Sequence, residues 1–201
     1  MLFSDEYLVV AKSAETTLRE RGSRFLAYTY PVETETEVKA LLEQLKAKYP
    51  DATHHCYAYV IGAGSEAQRA NDDGEPANSA GKPILRAILS AQLTNVLVVV
   101  VRYFGGTLLG IPGLINAYGL AAKQVLEVAG AIQRVREVSF RVSVDFGNEQ
   151  ELHRLVSKFN GKIEALDYNN KGLIAKISIK NSLSTGFESA VIQHYQLDLM
   201  E

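Results

Sequence analysis

Residues 95–129 read NVLVVVVRYFGGTLLGIPGLINAYGLAAKQVLEVA. The run at 96–101 has strand length and is apolar on both faces, so this strand is predicted to be central, with a layer covering each side. It ends in Arg102, Tyr103 and Phe104, and a glycine-rich connection follows through Gly105, Gly106, Gly110 and Gly113. Pro112 stands where a first helical turn accepts proline. Residues 112–129 then place Leu114, Ile115, Tyr118, Ala121, Ala122, Val125, Leu126 and Ala129 on the i, i+3, i+4, i+7 stripe of an amphipathic helix, which Gly130 closes. A strand, a glycine loop and a helix in this order place ligands at strand ends in open α/β sheets. The glycines permit positive φ or close backbone approach. GxGxxG spacing is absent, and packing alone explains such a loop equally well.

Working outward, strands are predicted at 6–11, 23–30, 53–61 and 95–103, and helices at 34–48, 82–92 and 112–129. A boundary falls at 132–138. Beyond it Val138, Phe140, Val142, Val144 and Phe146 alternate as one face of a strand, and a helix at 148–159 carries Leu152, Leu155, Val156 and Phe159. Strands at 162–168 and 173–179 flank the turn Asn169-Asn170-Lys171-Gly172. A helix at 183–194 and a short strand at 196–199 complete a βαββαβ order. Two domains are expected, 1–135 and 136–201.

Composition limits the function classes. With 201 residues, 47% hydrophobic and 22% charged, the chain can bury its own core. No apolar run approaches the ~20 residues of a membrane helix. Net charge is −2, from 21 basic and 23 acidic residues, so nucleic acid could be held only by a local patch. The N-terminus MLFSDEYLVV has acidic residues where a signal peptide has basic ones, and the single Cys56 has no disulfide partner. Both point to the cytoplasm.

Two further stretches carry chemistry. Residues 71–85, NDDGEPANSAGKPIL, set Asp72, Asp73 and Glu75 around a glycine ahead of a helix start. The phosphate-loop pattern fails there, since Pro76 replaces its first glycine and Pro83 its Ser/Thr. The carboxylates would repel an anion; they suit caps of the loop's own N–H groups, a cation site, or a surface read by a partner. At residues 54–59, HHCYAY, His54, Cys56 and Ala58 share one strand face while His55, Tyr57 and Tyr59 share the other. The adjacent histidines therefore do not ligate one metal, and the aromatic face either packs in a core or stacks bases. Ser-His-Asp, HExxH and CxxC arrangements are absent.

Together, HHCYAYVIG, NDDGEPANSAGKPIL and VVVVRYFGGTLLGIPGLINAYGLAAK, in this order and spacing, resemble the signature of the IMPACT family in its bacterial YigZ-like branch. The resemblance covers about residues 23–128; residues 137–201 match the appended domain by their βαββαβ pattern. It implies an α+β fold of two domains: an N-terminal α/β sandwich like the second domain of ribosomal protein S5, and a C-terminal ferredoxin-like βαββαβ domain like modules of elongation factors. Both imply contact with RNA or the translation machinery. Eukaryotic relatives regulate translation by binding a large ribosome-associated protein and restraining a kinase of an initiation factor. They do so with an extra N-terminal domain that has no counterpart here, so that partnership is not carried across.

Position by position, the resemblance implies a surface of His54, Asp72, Asp73, Glu75, Gly81, Lys82, Arg102, Gly105 and Gly106, and Tyr103 is counted with the binding surface. Three departures weaken anion binding. Gly110-Ile111-Pro112-Gly113 stands where relatives usually have Gly-Thr-Gly-Gly, and proline removes an N–H donor. Asn116 replaces a common Lys or Arg, and Ala77-Asn78-Ser79 replaces small-Gly-Thr. The leading expectation is a non-enzymatic, translation-associated regulator without a cofactor, with RNA, the ribosome or a ribosome-associated protein as partner, no membrane, and no oligomeric state specified. A magnesium-dependent enzyme is one alternative, with Arg102, Lys82 and the glycine loop on phosphate and Asp72 or Asp73 on the metal. A protein-only adaptor is the other.

Overall fold

The structure, a computed structural model, describes residues 5–170, 172–194 and 196–200. The chain has a two-domain α+β fold, with one compact unit at residues 7–134 and a second comprising Asp5, Glu6 and the described residues of 135–200. Residues 1–4 of the acidic N-terminus and Lys171 of the predicted turn lie outside the described residues.

The larger unit contains, in chain order, β1 (Glu6–Val10), β2 (Ala14–Glu20), β3 (Ser23–Pro31), α1 (Glu35–Lys48), β4 (His54–Ile61), β5 (Ala67–Asn71), α2 (Gly81–Ser90), β6 (Val96–Tyr103), α3 (Gly110–Ala129) and β7 (Ala131–Val135). Five of the strands form one sheet in the order β2-β3-β6-β4-β5, with every neighbouring pair antiparallel. β1 and β7 pair separately. β6 is the middle strand of the sheet, and all six residues of its apolar run are fully buried.

Alternation along β6 feeds two cores. Val96, Val98 and Val100 pack with Ile84 and Ile88 of α2 and with Tyr118, Ala121 and Val125 of α3. Leu97, Val99 and Val101 pack on the opposite face with Val38 and Leu45 of α1. Each such side chain contributes roughly 1.5–3 kcal/mol by leaving water, so a charge placed at Val99 would remove a large part of the stability.

Three strands escape a reading by periodicity. β2 and β5 are edge strands with one neighbour each, and their outward residues are polar, as edges require. β7 has five exposed residues. The sheet is also antiparallel, so the ligand layout of open parallel α/β sheets does not apply to it. Instead the C-terminal end of β6 lies beside strand beginnings: Arg102 sits opposite His54 of β4 and Phe25 of β3. That end of the sheet positions the candidate site. The aromatic face of β4 is covered by α1, with Tyr59 buried among Val38 and Leu45, so core packing accounts for it and base stacking does not.

The second unit contains β8 (Glu137–Asp145), α4 (Glu149–Lys158), β9 (Lys162–Tyr168), β10 (Gly172–Lys180), α5 (Asn181–Ile192) and β11 (Leu197–Met200). Its sheet order is β11-β8-β10-β9, all antiparallel, which completes the βαββαβ pattern. Val142, Val144, Ile177 and Ile179 face Leu152 and Phe187 in one core. Asp5 accepts the Ser182 N–H at 2.8 Å in the first turn of α5, and the Ser182 hydrogen bond holds its carboxyl below the ordinary range. Among the described residues, no helix is long and apolar enough to cross a membrane.

Candidate functional site

Each carboxylate of the acidic connection is engaged within the fold. Asn71 Oδ1 accepts the Asp73 N–H at 2.7 Å, and the Glu75 N–H donates to the Asp72 carbonyl at 2.9 Å. Asp73 and Gly74 take positive φ, +41° and +87°, to close this turn. Asp72 Oδ1 then accepts N–H groups from Ala80 (3.0 Å) and Gly81 (2.8 Å), and its Oδ2 accepts that of Asn78 at 2.8 Å. Asp72 thus caps α2 from eight and nine residues upstream, placing a negative charge at the positive end of the helix. Asp73 Oδ2 instead accepts the His55 N–H of β4 at 2.7 Å. Gly81 is fixed by crowding: a Cβ there would stand 2.5 Å from the Asn71 nitrogen.

Glu75 turns inward. Its Oε1 accepts Arg102 Nη1–H at 2.6 Å and the Tyr118 hydroxyl at 2.7 Å, and the Glu75 and Arg102 side chains are 3% and 6% exposed. Arg102 Nη2 donates to Ser23 Oγ at 3.3 Å, and the guanidinium carbon lies 5.5 Å and 5.6 Å from the Phe25 and Phe104 rings. Arg102 Nε is buried without a partner. The Cys56 thiol lies 3.0 Å from the Asp72 carbonyl and 3.3 Å from Tyr118 Oη. Burial pushes both the thiol and the phenol far above their ordinary pKa, so each keeps its proton.

His54 borders this network. Its Nδ1 lies 2.7 Å from the Asp73 carbonyl, which can only accept, so Nδ1 carries the proton. Its Nε2 lies 3.8 Å from Glu75 Oε1.

The glycine connection closes the other side. Gly105 N–H donates to Ser23 Oγ at 3.2 Å, and a Cβ on Gly105 would fall 1.8 Å from the Gly22 carbonyl carbon. That contact, rather than positive φ, requires glycine. The Phe104 N–H donates to Thr53 Oγ1 at 3.2 Å. Between the two connections lies a cleft of about 410 Å³, with His54, Glu75 and Arg102 among its lining residues together with Pro76, Phe104 and Leu108 to Ile111. Phe104, Leu108 and Ile111 are 46%, 82% and 54% exposed. A larger groove of about 710 Å³ runs between α2 and α3, away from the polar network.

Of the residues singled out by sequence, His54, Glu75 and Arg102 meet at this cleft. Asp72 and Asp73 brace the loop behind it, and Gly105 lets the second connection close on the β2–β3 turn. Gly106, at φ +86°, turns into open space. Lys82 is exposed on the first turn of α2 and does not line the cleft. Tyr103 belongs to the opposite sheet face, where Arg24 lies 4.6 Å from its ring and Asp51 accepts its hydroxyl at 2.9 Å. Sequence reasoning missed Ser23, Phe25 and Tyr118, whose roles depend on long-range contact. Leu108 and Ile111 fall within the 102–113 connection that sequence reasoning takes as part of the binding face, without being singled out there. Among the described residues no three His, Cys, Asp or Glu side chains are grouped to hold a metal ion.

The Impact N-terminal domain model matches residues 21–126. An IMPACT family member of Haemophilus influenzae is 35% identical over 178 residues, covering 87% of this chain and 86% of its own. The IMPACT family member YigZ of Escherichia coli is 35% identical over 169 residues, covering 82% of this chain and 81% of its own. A crystal structure described as that of a hypothetical protein superposes with a TM-score of 0.69 at 29% identity, covering 97% of this chain and 96% of that one.

Proposed function

The chain belongs to the IMPACT family, and from that membership we propose a non-enzymatic, translation-associated regulator that grips a ribosome-associated protein in the cleft between residues 71–80 and 104–111. The resemblance to translation-linked relatives supplies the class of partner. The choice of protein over RNA rests on one observation, the state of Arg102. An arginine that holds phosphate needs a free fork of donors. Here the guanidinium is buried and neutralised by Glu75 at 2.6 Å, while the cleft mouth presents Phe104, Leu108 and Ile111 to solvent. Apolar and aromatic side chains around a desolvated centre are the anatomy of a protein-binding hot spot. The same accounting draws support away from a magnesium-dependent enzyme, because both oxygens of Asp72 and Oδ2 of Asp73 hold backbone donors and Asp73 Oδ1 lies 3.9 Å from Lys46 Nζ.

The test is retention of the protein on purified ribosomes, intact and nuclease-treated, across a salt series. The proposal expects retention that survives nuclease and changes little with salt. Absence of association would overturn the translation reading; a steep loss with salt together with loss after nuclease would move the contact to RNA.

A further inference from the structure

The floor of the cleft specifies what enters it. His54 Nδ1 donates its proton to the Asp73 carbonyl, which makes Nε2 the acceptor of the neutral tautomer. It stands 3.8 Å from Glu75 Oε1, also an acceptor. Glu75 Oε1 already accepts from Arg102 and Tyr118, so His54 Nε2 is the acceptor left to take a donor from outside. The charges beside them are already matched, because the Glu75 carboxylate and the Arg102 guanidinium neutralise each other at 2.6 Å. An anion would meet the carboxylate, and a cation would meet the guanidinium in low dielectric. The rest of the wall is largely apolar: Phe104, Leu108 and Ile111 line it and stand exposed. The complement of this set is a flat, uncharged, apolar group carrying one N–H or O–H at its edge.

We infer that the cleft is the socket for an aromatic anchor, a tryptophan or tyrosine side chain of the partner protein, with its N–H or O–H donated to His54 Nε2 and its ring packed against Phe104, Leu108 and Ile111. This rests on the reading that the cleft is the recognition site. Tryptophan and tyrosine combine a large apolar body with a polar handle, and they dominate hot spots for that reason. The cleft volume, about 410 Å³, lies within the range of specific ligand pockets.

The experiment uses the isotope-labelled full chain and small probes: indole, 1-methylindole, methylguanidinium and inorganic phosphate, with chemical shifts followed at Phe104, Leu108 and Ile111. Indole should shift these signals and bind about fivefold tighter than 1-methylindole, which lacks the donor and so loses the worth of one hydrogen bond. Leu108→Asp, at a position too exposed to disturb folding, should abolish the shifts, and His54→Ala should bring the two indoles together. Equal binding of the two indoles, stronger binding of methylguanidinium or phosphate, or no shift with any probe would overturn the inference, and none of these outcomes requires a variant to fold. If indole fails while Leu108→Asp still releases the protein from ribosomes, the aromatic anchor falls and the site stands. If indole binds as expected while Leu108→Asp leaves ribosome binding intact, the recognition reading falls instead.

Discussion

The acidic and the glycine-rich connections look alike as sequence: both are short, carry glycines and precede a helix. In the fold they do opposite things with their side chains. The acidic connection turns its functional groups inward, with Asp72 on α2, Asp73 on β4 and Glu75 buried against Arg102. The glycine-rich connection fits its backbone against Gly22 and Ser23, buries Leu109 in the core, and leaves Phe104, Leu108 and Ile111 in water. A buried polar group without a partner costs far more than an exposed apolar one, so the loop rich in charge had to become architecture. The apolar loop remained free to recognise something.

That contrast can be broken at several points, with effects of decreasing size on stability. Arg102→Met strands the Glu75 carboxylate in the interior and should cost about 3–5 kcal/mol. Chemical denaturation should detect this, and Glu75→Met added to Arg102→Met should restore most of the loss; a double variant no better than the single would show that the pair is not what holds the loops together. Gly105→Ala should cost roughly 1–3 kcal/mol or more by driving a methyl into the Gly22 backbone, whereas Gly106→Ala meets no neighbour and carries only the strain of its positive φ. Asp72→Ala removes the cap of α2 and should cost about 0.5–2 kcal/mol, read as a lowered melting temperature.

The pH dependence is a gentler probe. His55 is buried, and burial, with a smaller contribution from Lys46, holds its pKa below the ordinary value against the opposing pull of Asp73. The unfolded chain therefore takes up a proton first as pH falls, and stability should decline below about pH 6.5. His55→Gln should flatten that decline in a melting series. Leu108→Asp should change stability least of all, within about 0.5 kcal/mol, because the residue is 82% exposed.

Much of this fold was legible because burial leaves a period in the sequence. The doubly apolar run of β6, the stripe of α3 and the alternation of β8 all follow from sharing an apolar face with a core. β2 and β5 were not legible, since edge strands are kept polar to discourage further pairing. For the site, type and place separated. The residues at the end of β6 and the start of β4 lie together because antiparallel pairing sets Arg102 opposite His54, a register that local sequence does not encode. Tyr103, one residue further along the same alternation, faces the other side of the sheet. Tyr118 reads as one more apolar position of α3, yet its hydroxyl reaches Glu75 across 43 residues of chain.

The most direct test compares the apolar mouth with the charged residue that follows the acidic connection in ribosome binding: Leu108→Asp in the first and Lys82→Glu at the start of α2. The account predicts that Leu108→Asp releases the protein while Lys82→Glu binds as the wild type does. Release by Lys82→Glu, with Leu108→Asp unaffected, would contradict it and return the charged connection to the role of binding surface.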